Sequence, residues 1–306
     1  MRLKKTRFPG FFFACIKSDT LACLQRRFTG KLTMMNDAEL IMLWINGQLQ
    51  EQLSVLDRGT QYGDGCFTTA RVCDGEIVWL DRHIVRLQQA ATRLLFPTLD
   101  WESLIVEMKQ AAVGRADGVV KVMLTRGVGG RGYSAQGCVQ PTRVVMQVSY
   151  PAHYAGWREQ GISLNFSPVA LAKNPLLAGI KHLNRLEQVL IRAHLDQTSA
   201  DEALVLDTSG ALVECCAANL FWRKGHRVYT PDLSQSGVDG IARQHIIALL
   251  AGSDFDLQIV SEPVAALADA DELLICNALM PIVPVNQAHA WRYHSRDLYQ
   301  FLSSDC

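Results

Sequence analysis

This 306-residue sequence has no C-x-x-C pair, no low-complexity tract, no apolar run of membrane-spanning length and no formal net charge. Each absence removes a class of function. The nine cysteines, at 15, 23, 66, 73, 138, 215, 216, 276 and 306, lack the paired spacing of zinc and dithiol sites, so they read as free thiols in a reducing, cytoplasmic setting. Without about 20 consecutive apolar residues, no membrane partner is expected. Thirty basic residues against thirty acidic ones leave no basic stripe for nucleic acid. His83 and His182 have no companions at ligand spacing, so a metal site is not expected. The glycine-rich "GVGGRGYSAQG" is followed by strand pattern rather than a helix, which excludes a dinucleotide fingerprint.

With 49% apolar and 20% charged residues, the chain can bury a substantial core. Residues 1–41 stand apart. They hold eight Lys or Arg against three acids, leaving 22 basic and 27 acidic residues for 42–306. Their short apolar run is broken by Pro9-Gly10, unlike a signal peptide. The segment reads as an extension, disordered or upstream of a start at Met42.

From Met42 the pattern is α/β. "LWING" predicts a strand entering a turn at Asn46-Gly47, and "CFTTARV" with "EIVWL" predicts a hairpin. Apolar spacing predicts helices over 81–95 and 101–113, then strands at "VVKVMLTRG" and "TRVVMQVSY". The strand pattern lapses near Pro151, which suggests a linker. A strand at 161–167, a helix at 184–198 and strands "EALVLD", "LVECCAANLFWR" and "HRVYTP" follow. A helix from Gly240, a strand at 256–260, a short helix after Pro263, strand "ELLICN" and a helix at 295–303 complete the chain. Two domains, 42–150 and 151–306, with a site between them are the expected architecture.

Three stretches carry chemistry. In "LLAGIKHLNRLEQ", Lys181 follows an apolar run; a poorly solvated amine becomes a nucleophile toward carbonyls, although a lone lysine can also snorkel to water. Glu214 lies in "ECCAANLFW", where an unpaired carboxylate is costly, and a cationic ring nitrogen is one suitable partner, an arginine another. "GVDGIAR" leads two glycines into a helix whose free N–H groups suit a phosphate, and Arg71 in "FTTARV" could complete its neutralisation. Arg126 and Arg131, in "TRGVGGRGY", are candidate ligands for substrate carboxylates or else solvated loop residues.

The combined spacing resembles the signature of the class IV aminotransferases, fold-type IV pyridoxal-phosphate enzymes. Its anchors fall at Glu214, Cys216, Asn219, Leu220, Phe221, Val228, Thr230, Val238, Gly240, Ile241 and Arg243, and Lys181 occupies the place of the family's Schiff-base lysine. The resemblance implies an α/β (α+β) two-domain enzyme with pyridoxal 5'-phosphate at the domain interface. It assigns Lys181 as catalytic base and cofactor anchor, and Glu214 to the pyridine nitrogen. Arg71, Gly240, Ile241, Ala242 and Asn277 would contact the phosphate; relatives often have threonine where this chain has Ala242. "LDRGTQYGDGCFTTARV", "NPLLAGIKHLNRLEQVLIRAHL" and "CNALMPIVPV" resemble the family's carbon–oxygen lyases. That implies a small-molecule substrate, 4-amino-4-deoxychorismate, converted to 4-aminobenzoate and pyruvate in folate biosynthesis. The alternative is a D-amino-acid or branched-chain aminotransferase, although branched-chain enzymes tend to place tyrosine where this chain has Leu186. Relatives form homodimers, and the same is expected here.

Overall fold

The computed structural model describes residues 40–304. The expected extension therefore lies outside the described residues, except that 40 and 41 already belong to the first strand. The first half contributes β1 (Leu40–Ile45), β2 (Gln48–Leu49), α1 (Arg58–Tyr62), β3 (Gly65–Cys73), β4 (Glu76–Ile77), α2 (Leu80–Arg93), α3 (Trp101–Ala112), β5 (Asp117–Thr125) and β6 (Thr142–Val148). Its six strands form one antiparallel sheet in the order β2-β1-β6-β5-β3-β4. Asn46 and Gly47, at φ 50° and 77°, make the tight β1–β2 turn, because only a left-handed pair matches the twist of the flanking strands.

Alternation along β3 buries Cys66, Thr68, Ala70 and Val72 on one face and leaves Phe67, Thr69 and Arg71 half-buried on the other. The buried face packs against α2 through Ile84, Leu87 and Ala91, and against α3 through Leu104, Met108 and Ala111. Each of the large side chains contributes about 1.5–3 kcal/mol by leaving water. Asp100 caps α3, accepting the N–H of Ser103 at 3.0 Å, one of the first-turn donors that a helix cannot satisfy itself.

The second half contributes α4 (His153–Gln160), β7 (Ile162–Phe166), α5 (Leu186–Leu195), β8 (Glu202–Leu206), β9 (Leu212–Cys215), β10 (Asn219–Lys224), β11 (Arg227–Pro231), α6 (Ile241–Leu250), β12 (Asp256–Val260), β13 (Glu272–Cys276), β14 (Val283–Ala288), β15 (Trp291–Arg292) and α7 (Asp297–Ser303). Its strands run β12-β11-β10-β13-β14-β7-β8-β9, with β15 added beside β14. Strands β9 and β13 are buried at every position, so their sequences show no alternation of apolar and polar residues. The expected linker near Pro151 falls between β6 and α4. "LVECCAANLFWR" is two strands, because the backbone turns back at 216–218, with the Cys215 N–H bonded to the Ala218 carbonyl at 2.7 Å.

One extended segment, 179–183, joins the two sheets. On one side Phe67 donates its N–H to the Lys181 carbonyl at 2.9 Å, and Leu183 donates to Gly65 at 2.9 Å. On the other, Gly179 donates to the Gly237 carbonyl at 2.9 Å and accepts from Asp239 at 3.2 Å.

Candidate active site

Lys181 and Glu214 line one cavity of about 210 Å³, together with Phe67, Thr69, Arg86, Tyr154, Arg185, Gln188, Asn277 and the start of α6. Lys181 reaches it because its backbone is pinned on β3; Arg185 holds the turn behind it, donating to the carbonyls of Ile180 at 3.1 Å and His182 at 2.7 Å. The Lys181 ammonium lies 4.6 Å from the Phe67 ring centroid. Burial, aided by the Arg86 guanidinium, pushes its pKa far below the ordinary lysine range against the pull of Glu214. The neutral, nucleophilic amine is favoured.

Glu214 is buried because β9 is buried throughout. Burial holds its carboxyl above the usual range, opposed by the Val238 N–H and by Lys181. Its Oε2 accepts the Val238 N–H at 2.8 Å. Asn219 meanwhile donates its side-chain amide to the Val238 carbonyl at 2.9 Å. Arg243 fixes the same loop by donating to Asp239 at 2.8 Å, to the Pro231 carbonyl at 2.9 Å and to Thr230 Oγ1 at 3.2 Å. The anchors Asn219, Thr230 and Arg243 therefore build the loop rather than react. Gly237 has φ 82°, and a Cβ there would meet Val213 Cγ1 at 2.6 Å.

That loop delivers the N-terminus of α6 to the cavity. Gly240 is its N-cap without a side-chain cap bond, so the first-turn N–H groups are free to meet an anion. Ile241 lines the cavity; the Ala242 side chain packs away from it with Phe221 and Ile246. Asn277 lines the cavity too, but its amide is occupied. It donates to the Ala217 carbonyl at 3.1 Å and accepts from Leu279 and Met280 at 2.9 Å.

Three sequence expectations need correction. Arg71 does not line the cavity: its guanidinium lies over the Tyr150 ring at 4.6 Å and pairs with Asp117 at 3.6 Å. The strand carries it two residues beyond Thr69, past the end of the cavity wall. Arg126 is enclosed by Asp64 at 2.8 Å and by the carbonyls of Leu94 and Leu95 at the end of α2. Arg131 is exposed and also away from the cavity. Besides Lys181 and Arg185, the cation that lines the cavity is Arg86, which sequence reasoning missed. Its Nη2 donates to Thr68 Oγ1, which is also bonded to His83 Nδ1 at 2.6 Å. Its buried Nε has no partner, and burial lowers its pKa to about 10. The available signal was an arginine one turn from buried His83 and Ala90 on α2. Among the described residues no cluster could hold a metal ion.

A dry lysine and a buried carboxylate lining one cavity, beside a helix N-terminus and an arginine with an orphaned nitrogen, make a site suited to carbonyl chemistry on a two-sheet α/β scaffold. The amino-transferase class IV family model matches residues 65–288. The aminodeoxychorismate lyase of Vibrio harveyi is 37% identical over 245 residues, covering 80% of this chain and 90% of that protein. The crystal structure of 4-amino-4-deoxychorismate lyase from Pseudomonas aeruginosa superposes with a TM-score of 0.81 at 37% identity, covering 86% of this chain and 99% of that one. A putative branched-chain-amino-acid aminotransferase of Methanocaldococcus jannaschii is 32% identical over 253 residues, covering 79% of this chain and 86% of that protein. The chain belongs to the class IV aminotransferase family and has the fold-type IV architecture of its pyridoxal-phosphate enzymes.

Proposed function

We propose that this protein is a pyridoxal-phosphate-dependent lyase that converts 4-amino-4-deoxychorismate to 4-aminobenzoate and pyruvate. The observation that carries the reading is the Lys181–Glu214 pair in a chain 37% identical to curated and crystallised lyases of that specificity.

The residues present fit the cofactor. Arg86, through its unpartnered Nε, and the first turn of α6 would hold the phosphate. Glu214 would face the ring nitrogen and hold a proton there. The bound cofactor supplies an electron sink for a carbanion formed beside the substrate nitrogen. Lys181 would be the amine that anchors the cofactor and would take the proton from the amine-bearing ring carbon of the substrate. The Phe67 ring, Tyr154 and the apolar 215–218 turn limit the space for water around that step. The electron pair left by that proton would break the C–O bond to enolpyruvate, which takes up a proton to become pyruvate; the ring left behind is aromatic, which makes the elimination favourable.

The other reading, an aminotransferase acting on D-amino or branched-chain amino acids, shares the first proton abstraction. The M. jannaschii relative at 32% identity speaks for it; Leu186 in place of tyrosine speaks against the branched-chain form. Two assays on the purified protein separate them: 4-aminobenzoate released from 4-amino-4-deoxychorismate, and keto acid formed from D-alanine or leucine. A cofactor-loaded protein that releases no 4-aminobenzoate would sink the lyase assignment.

The same reading includes two domains divided near residue 150, a cytoplasmic location and a homodimer. None of the six described cysteines, at 66, 73, 138, 215, 216 and 276, forms a disulfide, and no described helix is long and apolar enough to cross a membrane. Helix α5 exposes Leu186, Val189 and Leu190 at 71%, 60% and 46%, an apolar strip suited to a second copy. Light scattering on the purified protein tests the dimer.

A further inference from the structure

With Arg126 held by Asp64 and two carbonyls, and Arg131 away from the cavity, the carboxylates of the substrate need another cation. The register of the first sheet offers one. Lys121 on β5 stands directly opposite Thr69 on β3, so both side chains leave the same face of the sheet, the face that carries Phe67. Phe67 and Thr69 line the cavity. The Lys121 ammonium lies 5.5 Å from the Phe67 ring centroid, and the same ring receives Lys181 at 4.6 Å. One aromatic side chain thus gathers two lysines.

Lys121 is half-buried, and its ammonium has no hydrogen bond or ion pair among the described residues. Burial holds its pKa below the ordinary lysine value. Two half-buried arginines of the same sheet do have carboxylate partners: Arg71 with Asp117, Arg143 with Glu107. A partly desolvated ammonium with only a ring for company is poorly compensated, and an arriving carboxylate would offset that cost.

We propose that Lys121 receives a carboxylate of the substrate at the Phe67–Thr69 wall of the cavity, and so selects substrates that carry an anionic group away from the reacting amine. This rests on the lyase reading and deepens it.

The test uses the cofactor-loaded protein, with Lys121→Met and Lys121→Arg. Two quantities are measured: KM for 4-amino-4-deoxychorismate, and the Kd of chorismate. Chorismate keeps both carboxylates but has a hydroxyl in place of the amine, so it reports the anion site without engaging Lys181. Retention of the bound-cofactor absorbance shows that each variant is folded. The expected result for Lys121→Met is a rise of about 10-fold or more in both KM and Kd, larger than any fall in kcat, with most of the loss recovered in Lys121→Arg. Values within two-fold of the parent for Lys121→Met, or an arginine variant no better than methionine, overturn the proposal. A parent protein that makes no 4-aminobenzoate, yet binds chorismate in a Lys121-dependent way, removes the lyase reading and leaves the anion site standing.

Discussion

Phe67 holds Lys181 at both ends: its backbone N–H donates to the Lys181 carbonyl at 2.9 Å, and its ring lies 4.6 Å from the Lys181 ammonium. The backbone bond fixes where the lysine starts, and the ring keeps water from where it finishes. Replacement by leucine keeps the first contact and removes the second. Phe67→Leu should lower kcat by about 10-fold while the protein still folds, because the smaller side chain lets water back to the amine, and a rise of about one pKa unit cuts its neutral form about 10-fold. Steady-state kinetics with a thermal melt checks this.

The pH dependence of cofactor loading follows from the same dry setting. Burial lowers the Lys181 pKa, so the reactive neutral amine is already dominant well below the pH at which ordinary lysines deprotonate. Apoprotein mixed with pyridoxal phosphate should load at a rate that is flat between about pH 8 and 9.5. A rate still rising 10-fold per pH unit over that range would show Lys181 to be solvated.

Arg86 and Arg71 are separable by substitution. Arg86→Ala should weaken pyridoxal phosphate binding by about 10- to 100-fold, the scale of a charge-assisted contact. Arg71→Ala should leave it within two-fold, because that guanidinium faces Tyr150 and Asp117. Equilibrium titration of the apoproteins, followed by absorbance, decides between them.

Gly240→Ala should damage the phosphate end of the cavity without touching a charged group. Its new Cβ would collide with Asn219 Oδ1, and Asn219 is the residue that holds the Val238 carbonyl. Cofactor affinity should fall by at least about 5-fold, comparable with loss of one buried hydrogen bond. Fluorescence quenching of the apoprotein by pyridoxal phosphate would register it.

Glu202 gives a stability test. Its carboxylate is buried, accepts the N–H groups of Ala203, Cys216 and Ala217 at 2.8–3.1 Å, and burial raises its pKa to about 7. The folded state therefore binds more protons than the unfolded state between the ordinary glutamate value and about 7. Unfolding free energy must fall as pH rises through that window, by up to about 1.4 kcal/mol per unit. Glu202→Gln removes the titration, so the urea midpoints of the variant at pH 5 and pH 7 should lie closer together than those of the parent.

The signature residues were legible in the sequence because their spacing survives whatever the fold does with them. Lys181, Glu214 and Gly240 line one cavity. The helix over 80–93 was legible because its buried residues recur every three or four positions. Helix α4 was not, because it buries no residue and so leaves no periodic trace. The phosphate arginine was misplaced for a related reason. Arg71 lies on the correct face of β3, and only the strand register shows that the cavity wall ends before it. Arg126 looked available because nothing near it in sequence announces that the carbonyls of Leu94 and Leu95 would enclose it.

The segment that carries Lys181 is held on one side by β3 and on the other by the loop before α6. Neither sheet alone can present it. An unprotonated lysine would be a hazard in a half-made polypeptide, open to any stray aldehyde it met. Here the amine loses its water only when both halves have closed on it, so reactivity arrives with completion of the fold and disappears when the halves part.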